Sequence, residues 1–478
     1  MFRFTFLLCF FLGILFQGFI KAAVINVPGD YSKIQDAINA SQNGDTVLVA
    51  EGTYFENINF NGKNIVVSSN YILDNDPLHI LNTIIDGSNP VQPDSASCVR
   101  IVSGEDSTAV LMGFTLTGGT GTKWVDEHGA GIYREGGGII ITLSSPTIKN
   151  NLIINNEAID RTGVTSAGGG GIRAGDSNAH IYNNIIANNK GHYGAGIVWN
   201  YATGEMKNNI IVFNSGGEDF GGGGVWTLAL GATIIENNVI AYNSVSGSGG
   251  NRGKGGAILV WSTSIIARNN IIWGNTQTSG DQIYLTSGGT ADITYSDVEG
   301  GYTGEGNINE DPVFSGDIYE LSQNSLCVDA GNPDPAYNDP ENTADPGIAL
   351  YPSLGTVRND IGAYGGPWRE ILPAVITSVR EKRNDDNFQG RFYLYQNYPN
   401  PFNPETTIKF SVATGNFVTL KVYNILGKQV AVLLNEYKKE GIYSLNFNSD
   451  DYNLSSGVYF YRLESGNYLV TRKLLLVK

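Results

Sequence analysis

Gly168-Gly169-Gly170-Gly171-Ile172, answered by Asn183-Asn184-Ile185-Ile186, decides how this chain folds, because the same pattern is written five times between residues 136 and 275. The other Gly runs enter apolar segments at Gly136-Gly137-Gly138-Ile139, Gly194-Ala195-Gly196-Ile197, Gly221-Gly222-Gly223-Gly224-Val225 and Gly255-Gly256-Ala257-Ile258. The other Asn pairs stand at Asn150-Asn151, Asn208-Asn209, Asn237-Asn238 and Asn269-Asn270. From the apolar residue to the first Asn is 11 residues in four copies and 12 in the copy opened by Val225. After each pair come Leu, Ile or Val, then Ile, then a further Asn at 155, 188, 214, 243 or 275. Successive pairs lie 33, 25, 29 and 32 residues apart, so a core of fixed length alternates with insertions of variable length. That is the signature of a solenoid.

The apolar runs are short, β-branched and set among glycines, which suits strands rather than helical repeats. Each coil then supplies a few strands that pair with the coils before and after it. Asn at equal positions can stack, each amide donating to the next, and tolerates the left-handed backbone of a tight corner. Gly serves where a corner needs positive φ or close approach of a neighbouring coil. The stretch resembles the right-handed parallel β-helices of the pectin lyase-like superfamily. An antiparallel sandwich does not account for the fivefold register.

The expected organisation begins with a signal peptide over residues 1–23, where Arg3 precedes the apolar run Phe4 to Ile20 and Lys21-Ala22-Ala23 leads into polar sequence. No other stretch is long and apolar enough to span a bilayer, so the mature chain is expected to have no transmembrane span. With 61 Gly, 46 acidic against 30 basic residues and a net charge of −16, the chain is acidic and β-rich, and nucleic acid is a poor partner. Cys98 and Cys327 flank nearly the whole solenoid. At about 4.8 Å per coil they stand ~30 Å apart, beyond the ~7 Å reach of a disulfide, so two free thiols are predicted.

The β-helix is placed at 24–306. Ser32 is expected to cap a short amphipathic helix carrying Ile34, Ala37 and Ile38, which covers the open end of the solenoid. The order Ile34-Gln35-Asp36-Ala37-Ile38, Gly44-Asp45-Thr46 and Gly52-Thr53-Tyr54 resembles the opening of pectin methylesterases and related β-helix proteins. Residues 307–368, with Ile308-Asn309-Glu310-Asp311-Pro312-Val313-Phe314 and Asp360-Ile361-Gly362-Ala363-Tyr364, resemble the closing segment of secreted bacterial β-helix surface proteins and are read as a C-terminal cap. Inside it the acidic loop with Asp334, Asp339, Glu341 and Asp345 offers oxygen ligands for Ca²⁺, against which stands a plain solvated loop without EF-type spacing.

Residues 369–390 read as a linker, and residues 391–478 as a small immunoglobulin-like β-sandwich built from alternating strands such as Val418-Thr419-Leu420-Lys421-Val422-Tyr423. This last module also resembles the sorting domain of type IX secretion substrates of Bacteroidetes and neighbouring phyla. The matching segments are Asn400-Pro401-Phe402-Asn403-Pro404, Val422-Tyr423-Asn424-Ile425-Leu426-Gly427-Lys428 and Leu454-Ser455-Ser456-Gly457-Val458-Tyr459. The resemblance implies export by the signal peptide, passage through the outer membrane by the type IX machinery, and release or attachment at the cell surface.

The variable insertions all fall between the trailing Asn of one coil and the Gly run of the next, and so emerge along one edge. There the sequence collects Asp126, His128, Arg161 and Asp219 as candidate catalytic residues, beside Lys123, Asp160, Arg173 and Glu218. Trp124, Arg134, His192, Trp199, Trp226 and Trp261 are candidate ligand contacts. The last three follow their Gly runs at nearly equal places but differ in register by one or two residues, so sugar platform and inward core stay open for each. Five coils make an edge ~20 Å long, which suits an extended polymer. The expected function is a secreted or cell-surface β-helix that binds extracellular polysaccharide or serves as an adhesion scaffold. The alternative is an enzyme, either a Ca²⁺-dependent lyase acting on a uronate polymer or a glycoside hydrolase with converging carboxylates. The paired-Asp and Gly-His-Gly signatures of polygalacturonases are missing, and fold alone decides nothing about activity.

Overall fold

The computed structural model describes residues 22–372, apart from 229–230 and 316–317, and most of 393–478. The signal-peptide segment up to residue 21 and most of the expected linker lie outside the described residues. The chain divides into two compact units, Met1–Pro373 and Ala374–Lys478.

The first unit is a parallel β-helix. Its coils run through three long parallel sheets: sheet A with ten strands from Val24–Val27 to Thr290–Thr294, sheet B with nine from Gly52–Tyr54 to Asp297–Val298, and sheet C with eight from Ile58–Asn59 to Ile283–Thr286. One coil passes from sheet C at Ile172–Gly175 to sheet A at His180–Tyr182 and sheet B at Ile185–Ala187, then leaves as an excursion before the next Gly run. Inward positions stack in register: Ile139, Ile172, Ile197, Val225, Ile258 and Ile283 are successive partners in sheet C. All belong to one continuous buried core, which is why the fixed part of the repeat is apolar at alternate residues.

Corners between sheets are held by two asparagine ladders. In the corner between sheets A and B, the amide oxygen of Asn209 accepts from the backbone N–H of Asn184 at 3.0 Å, and that of Asn238 accepts from Asn209 at 2.9 Å. The second ladder runs Asn156, Asn189, Asn214, Asn243 and Asn275. Here the structure corrects the register read from sequence. In the first two copies the stacked residues are Asn156 and Asn189, while Asn155 and Asn188 occupy the left-handed position before them. Phe213 and Tyr242 hold that same position in the next two coils, with φ of 56° and 57°. The ladder residue is thus five positions after the second Asn of each pair throughout.

The excursions make two further sheets beside sheet C. Sheet D contains Ser95–Ala96, Gly121–Val125, Ile132–Glu135 and Ser166–Gly168; sheet E contains Glu157–Ala158, Lys190–Tyr193, Ser215–Gly221 and Ser244–Val245. Much of each variable insertion is therefore paired strand. At the amino end the helix Ile34–Ala40 buries Ile34, Ala37 and Ile38 as expected, but Ser32 does not cap it. The Glu56 carboxylate accepts from Ile34 N at 2.9 Å and Gln35 N at 3.0 Å, satisfying two of the free N–H groups of the first turn. Cys98 and Cys327 are buried and free. At the other end Leu372 is buried, Arg369 Nε donates to Ser353 Oγ at 2.7 Å, and Tyr71 OH donates to Glu370 at 2.8 Å, so solenoid packing continues to Leu372.

The second unit is antiparallel. A three-stranded sheet of Tyr393–Leu394, Glu405–Val412 and Gly441–Asn448, and a four-stranded sheet of Asn416–Asn424, Gln429–Lys438, Gly457–Ser465 and Tyr468–Leu476, share one core containing Phe410, Val422, Phe447 and Leu463.

Candidate functional site

Side chains alternate across a strand, so each sheet C strand that buries two residues in the core turns two outward. One outward row is Ile140, Arg173, Val198, Trp226, Leu259 and Tyr284; the other is Thr142, Gly175, Asn200, Leu228, Trp261 and Thr286. The excursion sheets rise beside these rows and close a cleft of about 260 Å³ over them. Trp226, Leu228, Trp261 and Asn200 come from sheet C, Tyr133 and Glu135 from sheet D, and Tyr193 and Phe220 from sheet E; Asp126, Ala130 and Tyr201 complete the lining.

The aromatic wall is a ring of edge-to-face contacts. Tyr193 meets Phe220 and Trp226 at 5.4 Å between ring centres, and Trp261 meets the same two residues at 6.1 Å. Such pairs hold one another in fixed orientations. Trp226 Nε1 and Asn200 Oδ1 are buried in this lining without a hydrogen-bond partner, and a buried polar group left in that state is costly unless something fills the place.

Acidic groups adjoin this wall. Glu135 is buried; it accepts a short hydrogen bond from the Tyr193 hydroxyl and sits 3.0 Å from Arg173 Nε. Burial pushes the Glu135 carboxyl up, while Arg173 and Tyr193 pull it down without overcoming that push. Burial also opposes the charge on Arg173, but Glu135 and Glu127 outweigh it and hold the guanidinium above its ordinary value. Glu127 is 3.3 Å from Arg173 Nη2 and accepts from Trp124 Nε1 at 2.7 Å. Burial raises the Glu127 carboxyl, but Arg173 and the Thr142 hydroxyl bring it below its ordinary value. Asp126 uses Oδ1 to accept from the backbone N–H of His128 and of Ala130, and its Oδ2 lies 3.3 Å from Asn200 Nδ2.

The residues singled out from sequence divide. Asp126, Trp226 and Trp261 line the cleft. His128 stacks on Tyr201 at the cleft's edge, 3.7 Å between rings, with Nε2 3.0 Å from Asp176. Trp199 is corrected: it is wholly buried in the solenoid core, because it stands two residues after Ile197 and shares that residue's inward face. Arg134 is also buried, donating to the carbonyls of Pro93 and Gly121 and pairing with Asp94 at 3.0 Å and Asp160 at 3.5 Å. Arg161 pairs with Asp219 at 3.0 Å, and His192 with Glu218 at 3.0 Å over sheet E. The hydrogen bond that His192 donates to Glu218 raises the His192 pKa.

Arg134, Arg161 and His192 are therefore each tied to an acidic partner. In the C-terminal cap Asp334, Asp339 and Glu341 accept backbone N–H groups, from Ala336, Asp360 and Gly347 respectively, and among the described residues none bonds to the Asp345 carboxylate. Among the described residues no group of three or more His, Cys, Asp or Glu converges as a metal site would. Glu135, Tyr193 and Phe220 were missed by sequence reasoning, and Arg173 was noted only beside the candidate catalytic residues. Only Arg173 had a signal, parity: it is one residue after Ile172, as Trp226 is after Val225, and both face outward.

Fold and cleft together define a parallel β-helix with an aromatic, acidic recess on one sheet. Residues 396–478 match the family model described as the secretion system C-terminal sorting domain, and this type IX sorting tail marks a protein that is secreted or attached to the outer surface. No curated protein matches the chain in sequence. Among the described residues no helix is long and apolar enough to cross a membrane.

Proposed function

We propose that the protein binds an extracellular glycan at the outward face of sheet C, after delivery by the type IX machinery acting on its C-terminal unit. The observation that carries this reading is the recess itself: flat aromatic surfaces beside a donor, Trp226 Nε1, and an acceptor, Asn200 Oδ1, that lack protein partners. A sugar ring offers C–H faces to the first and hydroxyls to the second. At about 260 Å³ the recess is just below the usual range for small-ligand pockets of roughly 300–1,000 Å³, so it takes one or two rings of a chain. The test is calorimetric titration of the mature chain with oligosaccharides of differing charge, alongside Trp226→Ala. Saturable binding lost in the variant supports the reading; no heat with any oligosaccharide overturns it.

A second reading is hydrolysis, favoured by one observation: two carboxylates, Asp126 and Glu135, share the recess. A glycoside hydrolase needs such a pair, one group bearing a proton. Reducing ends released in the same titrations, and abolished in Glu135→Gln, decide for it; intact oligosaccharide after prolonged incubation decides against.

A further inference from the structure

We infer that the sugar this recess selects carries a free amine, a hexosamine unit presented as its ammonium. The inference rests on the glycan reading above and narrows it. Two carboxylates, Asp126 and Glu135, line the recess, and no Lys or Arg does. The nearest cation is turned away: the Arg173 side chain is fully buried and spends its guanidinium on Glu135, Glu127 and the Ile141 carbonyl. One guanidinium between two carboxylates leaves the charge of Asp126 uncompensated, since Asp126 has only N–H donors around it.

The hydrogen-bond inventory points the same way. Asn200 Oδ1 has no donor, and Asp126 Oδ2 has only the 3.3 Å contact with Asn200 Nδ2. Against these stands one unused donor, Trp226 Nε1. A site rich in acceptors and poor in donors matches an ammonium, which brings three donors and no acceptor. A uronate brings the opposite, two acceptor oxygens and a like charge, which costs Coulomb energy and desolvation. The rings of Trp226, Trp261 and Tyr193 add a third term, since an aromatic face attracts a cation. Acetylating the amine removes the charge and two donors, and adds a carbonyl acceptor where acceptors are already in excess.

The experiment uses the mature chain and three oligosaccharides of equal length: a β-1,4-linked glucosamine oligomer, its fully N-acetylated counterpart, and a galacturonate oligomer. The glucosamine oligomer is expected to bind about tenfold tighter or more than the acetylated one, a difference of about 1.4 kcal/mol, and the galacturonate oligomer not to bind. Asp126→Asn keeps a carbonyl oxygen to accept from His128 N and Ala130 N, so the loop holds, and its preference for the glucosamine oligomer over the acetylated one should fall to within about threefold (~0.7 kcal/mol). Equal affinity for the two sugars, with both lost in Trp226→Ala, overturns the hexosamine inference and leaves glycan binding standing. Tighter binding of galacturonate overturns it as well. Failure of every oligosaccharide removes the glycan reading itself, and unchanged preference in Asp126→Asn refutes the part given to that carboxylate.

Discussion

Replacing Asn209 tests the asparagine ladder at its middle. The side chain is wholly buried and takes part in five hydrogen bonds. Its oxygen accepts from Asn184 N at 3.0 Å and Asn184 Nδ2 at 3.1 Å; its Nδ2 donates to Ile181 O at 2.8 Å, Lys207 O at 3.1 Å and Asn238 Oδ1 at 3.0 Å. Asn209→Ala strips the partner from the buried Asn184 N–H, which costs about 1–3 kcal/mol, and removes four further bonds worth about 0.5–1.5 kcal/mol each at most. Some of the carbonyls keep their ladder donors, so the expected loss is about 3–5 kcal/mol. Asn209→Asp separates hydrogen bonding from volume. The carboxylate still accepts from Asn184, but its second oxygen faces three acceptors, so this nearly isosteric change should be worse than Ala. The assay is urea unfolding of the mature chain followed by tryptophan fluorescence, since all six tryptophans precede Pro373 and report only the solenoid. A loss below about 1 kcal/mol for Ala, or an Asp variant at least as stable as the Ala variant, refutes the ladder as a source of stability.

Trp199→Ala should cost about 3–5 kcal/mol as a core truncation, in the same urea assay, without changing ligand preference in what remains folded; a selective loss of binding at full stability contradicts its inward placement. Gly168→Ala would set a Cβ 2.5 Å from the Tyr193 ring, so that ring is expected to shift and to disturb its bond to Glu135. Ligand affinity should fall about tenfold, equivalent to ~1.4 kcal/mol, by calorimetry, and unchanged affinity contradicts the part given to the Tyr193 ring. In the C-terminal cap, burial and the neighbouring Asp360 push Asp339 up to about 8, against the pull of N–H donors from Gly366 and Asp360, and burial pushes Asp360 up to about 7. A carboxyl raised in the folded state contributes stability below its unfolded pKa of about 3.9, lost as pH rises through the folded value. The urea midpoint of the wild type relative to Asp339→Asn should therefore fall steadily from pH 4 to pH 8; a difference that grows with pH reverses the assignment.

The solenoid was legible because its core is a repeat with one physical requirement per position: an inward β-branched residue, a stacked Asn, a Gly where a Cβ would strike the next coil. The register of the second ladder was misread because Asn155-Asn156 and Asn188-Asn189 offer two candidates, and sequence alone does not say which takes the left-handed backbone. Phe213 and Tyr242 resolve it, since only their following residue can carry the amide. The excursion strands were not legible. Segments such as Lys190–Tyr193 and Ser215–Gly221 are polar and Gly-rich, and they become strands only because the coil beside them supplies a partner of matching length. The buried Arg173–Glu135 contact was invisible for the same reason: Glu135 is close to Arg173 only after the Gly121–Val125 and Ile132–Glu135 hairpin folds over sheet C.

Placing the recess on this sheet follows from how a solenoid divides its constraints. Inward rows are bound to the core, and the one from Ile139 to Ile283 is aliphatic in every coil, whereas outward rows of sheet C meet either solvent or an excursion, and there the side chains vary from Ile140 to Arg173 to Trp226. Excursions cost the coil no inward residue, because each leaves after sheet B and returns at the Gly run. The Gly runs let the excursion backbones lie close to the sheet: a Cβ on Gly194 would fall 2.9 Å from that of Trp226. The repeat thus sets the wall and the insertions set what faces it, so a change of ligand needs new residues only in outward rows and excursions. That predicts where substitutions can retune this recess without loss of fold: at Asn200, Leu228 and Trp261, and not at Trp199, although Trp199 stands next to Asn200 in the chain.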